Sequence, residues 1–235
     1  MTFRRAALFL ICVGLATGAF LGVRKVKDHF ERVSRMARTP PLDKSLYTRR
    51  VDQFMASEAK SRIVMLGDSR VQEADWSELL GRQDVVNRGI SGDTTSGLLA
   101  RLSESVSEST ELCIIQIGVN DLIQQSKVAD VERNYREIFS RLAERQPPPR
   151  VIQMAIILTS DPTRVLNDRI GEANSRLRQM AEEHHADWLD PNEMLAPHGV
   201  LEGRWTSDGL HLNGEGYAQL ASSLKTRIDR FLSAQ

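Results

Sequence analysis

From residue 62 to the C-terminus the chain alternates short apolar runs with one-sided helical patterns, and no other feature constrains its fold as tightly. The runs Ile63-Val64-Met65-Leu66, Leu112-Cys113-Ile114-Ile115-Gln116-Ile117 and 151–158 are nearly continuous and rich in branched side chains. A strand that is apolar at successive positions has both faces covered, as the strands of a parallel sheet do. Val85-Val86 and Trp188-Leu189 read as shorter strands. Between the runs, Val128, Val131, Tyr135, Ile138, Phe139 and Leu142 recur at helical steps and form one apolar face. Val165, Leu166, Ile170, Ala173, Leu177 and Met180 repeat the pattern, as do Tyr217, Leu220, Ala221, Leu224, Ile228 and Phe231. This alternation over about 175 residues predicts a three-layer α/β/α sandwich, whose functional site lies beyond the carboxyl ends of its strands.

The chain has 235 residues, 41% hydrophobic and 26% charged, the makeup of one ordinary folded domain with an appendage. Its net charge of zero hides an asymmetry. Residues 1–60 carry 12 Lys/Arg and 5 Asp/Glu, a net +7, while residues 61–235 carry 19 and 26, a net −7. The basic excess flanks residues 6–23, an uncharged run of 18 residues that spans about 27 Å as a helix, close to the hydrocarbon thickness of a bilayer. The run continues through Phe20-Leu21 into Arg24, Lys25 and Lys27, which favours an uncleaved signal anchor over a signal peptide cut near Ala16-Thr17-Gly18-Ala19. The expected organisation is an anchor over 1–27, a charged tether with a leading amphipathic helix over 28–60, and the folded domain over 61–235. A membrane-anchored or exported body on the extracytoplasmic side is expected. Positive charge at both ends of the run keeps a cytoplasm-facing orientation as the alternative. An acidic body without a basic stripe argues against nucleic acid as a partner. Cys12 and Cys113 are not placed to pair with each other, and Cys113 reads as a small core residue.

The chemistry lies in four short motifs. Ser69, in Gly67-Asp68-Ser69, follows the first buried run and sits at its carboxyl end, with Gly67 expected to permit a tight turn. A serine hydroxyl needs a base to become a nucleophile. His211 in Asp208-Gly209-Leu210-His211 is the natural base, and Asp208 three residues earlier can hold the Nδ1 side of its ring, leaving Nε2 for Ser69. Taken alone, the Asp208–His211 pair reads more readily as surface capping where Asn213 and Gly214-Glu215 begin the last helix. Acyl transfer also needs donors for a developing oxyanion. The Ser69 and Gly92 backbone N–H groups and the Asn120 side-chain amide, in Gly118-Val119-Asn120-Asp121, are the candidates. Asp93, Thr94 and Asp121 read as structural capping and bracing residues. His184 and His185 end a charged helix, His29 lies in the tether and His198 in a loop. No zinc motif, cysteine pair or phosphate-binding loop is present, so no metal or cofactor is expected.

These residues resemble the SGNH hydrolase superfamily, the GDSL lipases and esterases, whose four blocks supply serine, glycine, asparagine and histidine. Gly67-Asp68-Ser69, Gly92, Asn120 and Asp208-Gly209-Leu210-His211 match them in order over about residues 60–235. Ile90-Ser91-Gly92-Asp93-Thr94-Thr95 and His211-Leu212-Asn213-Gly214-Glu215-Gly216-Tyr217 are similar to the branch of platelet-activating-factor acetylhydrolases and lysophospholipase-like enzymes. The resemblance implies a flavodoxin-like sandwich around a five-stranded parallel sheet. It also implies a serine esterase acting on a small-acyl or lipid-like ester, with acyl transfer to another alcohol as the nearest variant. A non-catalytic envelope binding domain on the same fold is the alternative from another class. Arg70 departs from the pattern: beside the nucleophile it either selects an anionic substrate or pairs with a neighbouring carboxylate.

Overall fold

Residues 44–57, 61–161 and 163–233 are described by the computed structural model. The apolar run at 6–23 lies outside them. Alternation along the central strands sorts their side chains onto two faces and builds a core on each. From β1 (Ile63–Gly67) and β3 (Leu112–Gln116), Val64, Leu66, Cys113 and Ile115 face one side. There they meet Tyr135 and Ile138 of α7 (Val128–Ala143) and Ile170, Leu177 and Met180 of α8 (Val165–Glu183). Ile63, Met65, Leu112 and Ile114 face the other side. They meet Trp76 and Leu80 of α3 (Trp76–Leu80) and Leu220, Leu224 and Ile228 of α10 (Gly214–Ser233). Every residue of β1 and β3 is buried, and each branched side chain so covered contributes about 1.5–3 kcal/mol.

Three further strands complete the sheet: β2 (Val85–Gly89), β4 (Arg150–Met154) and β5 (Asp187–Leu189). The order is β2-β1-β3-β4-β5, and every pairing is parallel. This is the expected five-stranded three-layer architecture. The remaining helices are α1 (Lys44–Met55), α2 (Ser69–Gln72), α4 (Thr95–Ala100), α5 (Leu102–Ser105), α6 (Val119–Ile123) and α9 (Asn192–Leu195), with a 3₁₀ turn at Gly203–Trp205.

Several elements differ from the sequence reading for identifiable reasons. The apolar run 151–158 leaves the sheet after Met154, although Ile156 and Ile157 stay buried. Its edge neighbour β5 ends at Leu189, whose carbonyl takes the Ala155 N–H at 2.8 Å. Beyond that point the side-chain oxygens of Asn174 and Asn192 accept from Ile156 and Leu158 N–H, both at 2.8 Å. β2 runs on through polar Asn87 and Arg88 because Asn87 faces the α2–α3 turn, donating to the Val71 and Ala74 carbonyls at 2.8 and 2.9 Å. Val165 opens α8 with its side chain in solvent, 64% exposed, and does not join the apolar face.

The leading helix α1 packs on the body. Tyr47 Oη donates to the Gly97 carbonyl at 2.8 Å, and Phe54 is buried beneath the guanidinium groups of Arg88 and Arg101. One unit, Thr39–Gln235, thus takes in α1 as well as the sheet. Cys113 is a buried free thiol whose pKa burial pushes up to about 12, which leaves it unreactive. Among the described residues, no helix is long and apolar enough to cross a membrane.

Candidate active site

Strand order decides which loops can meet. β2, β1 and β3 lie side by side, with Gly67 in register with both Gly89 and Gln116, so the segments that follow leave the sheet at one edge. Ser69, the Gly92 turn and Asn120 are carried by those three segments. Gly67 itself is required by close approach, not by turn geometry. A Cβ there would run into the Gln116 carbonyl oxygen and the Val71 side chain. The chain turns at Asp68, which caps α2 by accepting from Arg70 N–H at 3.0 Å. Ser69 is the first helical residue, so its N–H has no intrahelical acceptor.

The second and third candidate donors are tied together. Gly92, at φ 77°, sits in the turn closed by Asp93 N–H to the Ile90 carbonyl, with its own N–H outside that bond. Asn120 Nδ2 donates to the Asp93 carbonyl at 2.8 Å, leaving one amide hydrogen uncommitted by that bond. Asp121 accepts from Thr95 N–H and Oγ1 at 2.9 and 2.6 Å, which fixes α4 against α6. Thr94 caps α4 by accepting from Gly97 N–H. Asp93 accepts from buried Arg101 Nε at 2.8 Å, and the same guanidinium donates to the Arg88 and Gly67 carbonyls. Burial pushes Asp93 up to about 6 despite Arg101, and Asp121 is also raised by burial.

The fourth motif arrives from the far end of the chain. Ser69 Oγ lies 2.9 Å from His211 Nε2, and His211 Nδ1 lies 2.7 Å from Asp208 Oδ2. An ionised carboxylate only accepts, so the ring proton sits on Nδ1 and Nε2 faces the serine as acceptor. The other oxygen of Asp208 accepts from the Leu210 and His211 N–H groups, both at 2.8 Å. Burial alone pushes the Asp208 pKa up, but the His211 ring and those two N–H groups outweigh it and hold the carboxyl below its usual range. Thr206 Oγ1 completes the loop by accepting from Gly209 N–H at 2.9 Å. The capping alternative for Asp208 does not hold, because Asn213 Oδ1 caps α10 by accepting from Gly216 N–H. Two of the other described histidines lie elsewhere: His184 stacks on Phe139, and His198 is exposed beside Glu202.

Arg70 faces no substrate, and the carboxylate whose charge most favours its guanidinium, Asp68, makes no contact ion pair with it. Arg70 is 1% exposed and forms no ion pair within 4 Å among the described residues. Its Nε donates to the Leu210 carbonyl at 2.9 Å and Nη1 to the Ile157 carbonyl at 2.6 Å. The first turn of α2 points this side chain inward, beneath the histidine loop, where carbonyl oxygens replace a carboxylate and no substrate can reach. Nη2 is buried without a partner. Asp68, also buried, is pushed up to about 6 by desolvation in spite of Arg70 nearby.

One residue at the site has no precedent in the sequence reading. Glu73 Oε1 lies 3.7 Å from His211 Nε2. The spacing from Ser69 is i to i+4, which puts two side chains on one helical face, but a helix as short as α2 gives no periodicity to read. Glu73 borders a cleft of about 400 Å³ shared with Gln72, Asp75, Ser77 and Asn87. Among the described residues, no group of three or more His, Cys, Asp or Glu is arranged to hold a metal ion.

The chain and its fold have known relatives. Residues 65–219 match the GDSL-like lipase/acylhydrolase family. A protein from Streptococcus pneumonia described as a platelet activating factor superposes with a TM-score of 0.72 at 25% identity, over 79% of this chain and 92% of its own. Human platelet-activating factor acetylhydrolase IB subunit alpha2 is 25% identical over 176 residues, 72% of this chain and 77% of its own. N-acylneuraminate cytidylyltransferase of Streptococcus agalactiae is 28% identical over 166 residues, 71% of this chain. The match spans only 38% of that longer relative. With two thirds of its length inside the family match and the sandwich fold in place, the chain belongs to the GDSL-like lipase/acylhydrolase family.

Proposed function

We propose that the protein is a serine esterase that hydrolyses a carboxylic ester through an acyl-enzyme. The observation that carries this is the unbroken run from Asp208 through His211 to Ser69, at 2.7 and 2.9 Å. Ser69 Oγ adds to the ester carbonyl while its proton passes to His211 Nε2, and Asp208 stabilises the imidazolium that results. The Ser69 and Gly92 N–H groups and Asn120 Nδ2 receive the oxyanion, each donor worth roughly 10²–10³ in kcat. The intermediate collapses by breaking the C–O bond, the alcohol taking the proton from Nε2. Water then attacks the acyl-serine with its proton passing to His211 Nε2, and the Ser69 Oγ–C bond breaks to release the acid as Nε2 returns the proton to Oγ. The tie from Asn120 to the Asp93 carbonyl supports this reading, since it holds two of the three donors in a fixed relation before substrate binds.

The likeness to a relative named as an acetylhydrolase favours a short acyl group. A p-nitrophenyl ester series from C2 to C16 on the full chain, with Ser69→Ala as control, tests both parts. The serine variant should fall to background on every ester; full activity in it refutes the mechanism. An optimum at C2 supports an acetyl ester, and one beyond C8 a lipid. Residues 1–27 are proposed to anchor this domain on the extracytoplasmic face of a membrane, which a C-terminal topology reporter tests.

A further inference from the structure

We infer that the Glu73 carboxylate, 3.7 Å from His211 Nε2, makes the leaving-group side of the site favour cationic and neutral alcohols over anionic ones. The inference rests on the serine-esterase reading above. When the tetrahedral intermediate collapses, the leaving oxygen takes its proton from His211 Nε2, so it must lie within about 3 Å of that nitrogen. Glu73 Oε1 is 3.7 Å from the same atom. By the triangle rule, the leaving oxygen therefore lies within about 7 Å of the carboxylate in any productive pose.

The position of Glu73 is set by the nucleophile's own helix, since its N–H donates to the Ser69 carbonyl at 2.9 Å. Its side chain is 44% exposed, and His211 is its one ion-pair contact within 4 Å among the described residues. A carboxylate without a lysine or arginine in ion-pair contact acts on whatever charge comes near it. The space it borders, about 400 Å³, carries no basic side chain. Asp75 adds a second negative charge there, since a hydrogen bond from the Ser77 hydroxyl holds its carboxyl low. The nearest cation, Arg70, is buried with two of its nitrogens on backbone carbonyls and cannot face a ligand. Asp208 and Asp68, the other ionisable carboxyls around the triad, add no positive charge. The leaving-group side therefore presents a negative field at the point where the alcohol departs.

A unit charge about 6 Å from Glu73, at an effective dielectric between the surface value near 20 and that of water, changes kcat/KM about tenfold. The test uses the full chain and three acetate esters: of 4-nitrophenol, of 4-hydroxybenzenesulfonate and of 3-hydroxyphenyltrimethylammonium. Each ratio of charged to neutral ester is compared between wild type, Glu73→Gln and Glu73→Lys, so that intrinsic leaving-group reactivity cancels. The anionic-to-neutral ratio should rise about tenfold in the Gln variant and further in the Lys variant, while the cationic-to-neutral ratio falls. Ratios that stay within twofold of wild type overturn the inference. So does a result in which only a charge on the acyl part, tested with a 4-nitrophenyl succinate monoester, responds to the substitution. Ser69→Ala is run alongside. If it stays active, the esterase mechanism is what has failed; if it is dead and the ratios do not move, only the role of Glu73 has.

Discussion

Asp208→Asn tests the catalytic geometry with the smallest change of shape. One oxygen of Asp208 accepts two backbone N–H groups at 2.8 Å and the other faces His211 Nδ1 at 2.7 Å. An asparagine fills the same volume with one acceptor and one NH₂. If its amide were flipped, NH₂ would meet the Leu210 and His211 N–H groups and two hydrogen bonds would be lost, leaving donors facing donors at a cost of about 1–3 kcal/mol each. The oxygen therefore stays on the loop and NH₂ faces Nδ1. The ring must then present a lone pair at Nδ1 and carry its proton on Nε2, the atom that has to accept from Ser69. The expected result is a protein whose melting temperature moves by only a few degrees, while kcat falls about 10⁴-fold, or about 5.5 kcal/mol of barrier. Steady-state kinetics on p-nitrophenyl acetate give kcat and KM, and ¹⁵N chemical shifts of the imidazole report the tautomer. A kcat within tenfold of wild type in a variant with the altered tautomer would refute the assignment of His211 as the base.

Other consequences are open to equally direct measurement. Asn120→Ala should lower kcat by 10²–10³ with KM little changed, in the same ester assay, because one oxyanion donor is lost. Gly67→Ala drives a methyl into the Gln116 carbonyl and Val71, so thermal melts should show a drop of several degrees as well as lost activity. Asp68 has a folded pKa of about 6 against an ordinary 3.8, so ionising it costs the fold on the order of 3 kcal/mol. That stability is present below about pH 4 and is lost as pH rises to about 6. Urea titrations from pH 4 to 7 should show this decline in wild type and a smaller one in Asp68→Asn. Phe54→Ala should destabilise the domain by about 3 kcal/mol in urea, since Phe54 is the buried anchor of α1.

The buried strands were legible because β1 and β3 are covered on both faces and their apolar runs have no interruption. β2 was legible only in part. As an edge strand it spends Asn87 on the α2–α3 turn and Arg88 above Phe54, so polarity masks it. The end of β4 could not be read from its own residues, since it is set by the three-residue length of β5. At the site, the meeting of Ser69, Asp208 and His211 was legible because each lies in a short motif at a strand end or before the last helix, and the structure brings them together. Arg70 and Glu73 could not be assigned. What each does depends on a loop some 140 positions away, and sequence spacing carries no trace of that meeting. Residues 1–43, which carry the expected anchor, stand outside this comparison.

The 142-residue separation between Ser69 and His211 also orders events during synthesis. The three strand ends that carry Ser69, Gly92 and Asn120 leave the ribosome first, and a chain that reaches only Leu189 holds all five strands without His211. The pairing of Ser69 with His211 waits for the last segment. Arg70 must find the Leu210 carbonyl, and Tyr217 Oη must find the Arg70 carbonyl at 3.0 Å. On the proposed mechanism, nascent or C-terminally truncated chains are hydrolytically silent, with the C-terminal helix acting as the final step of assembly.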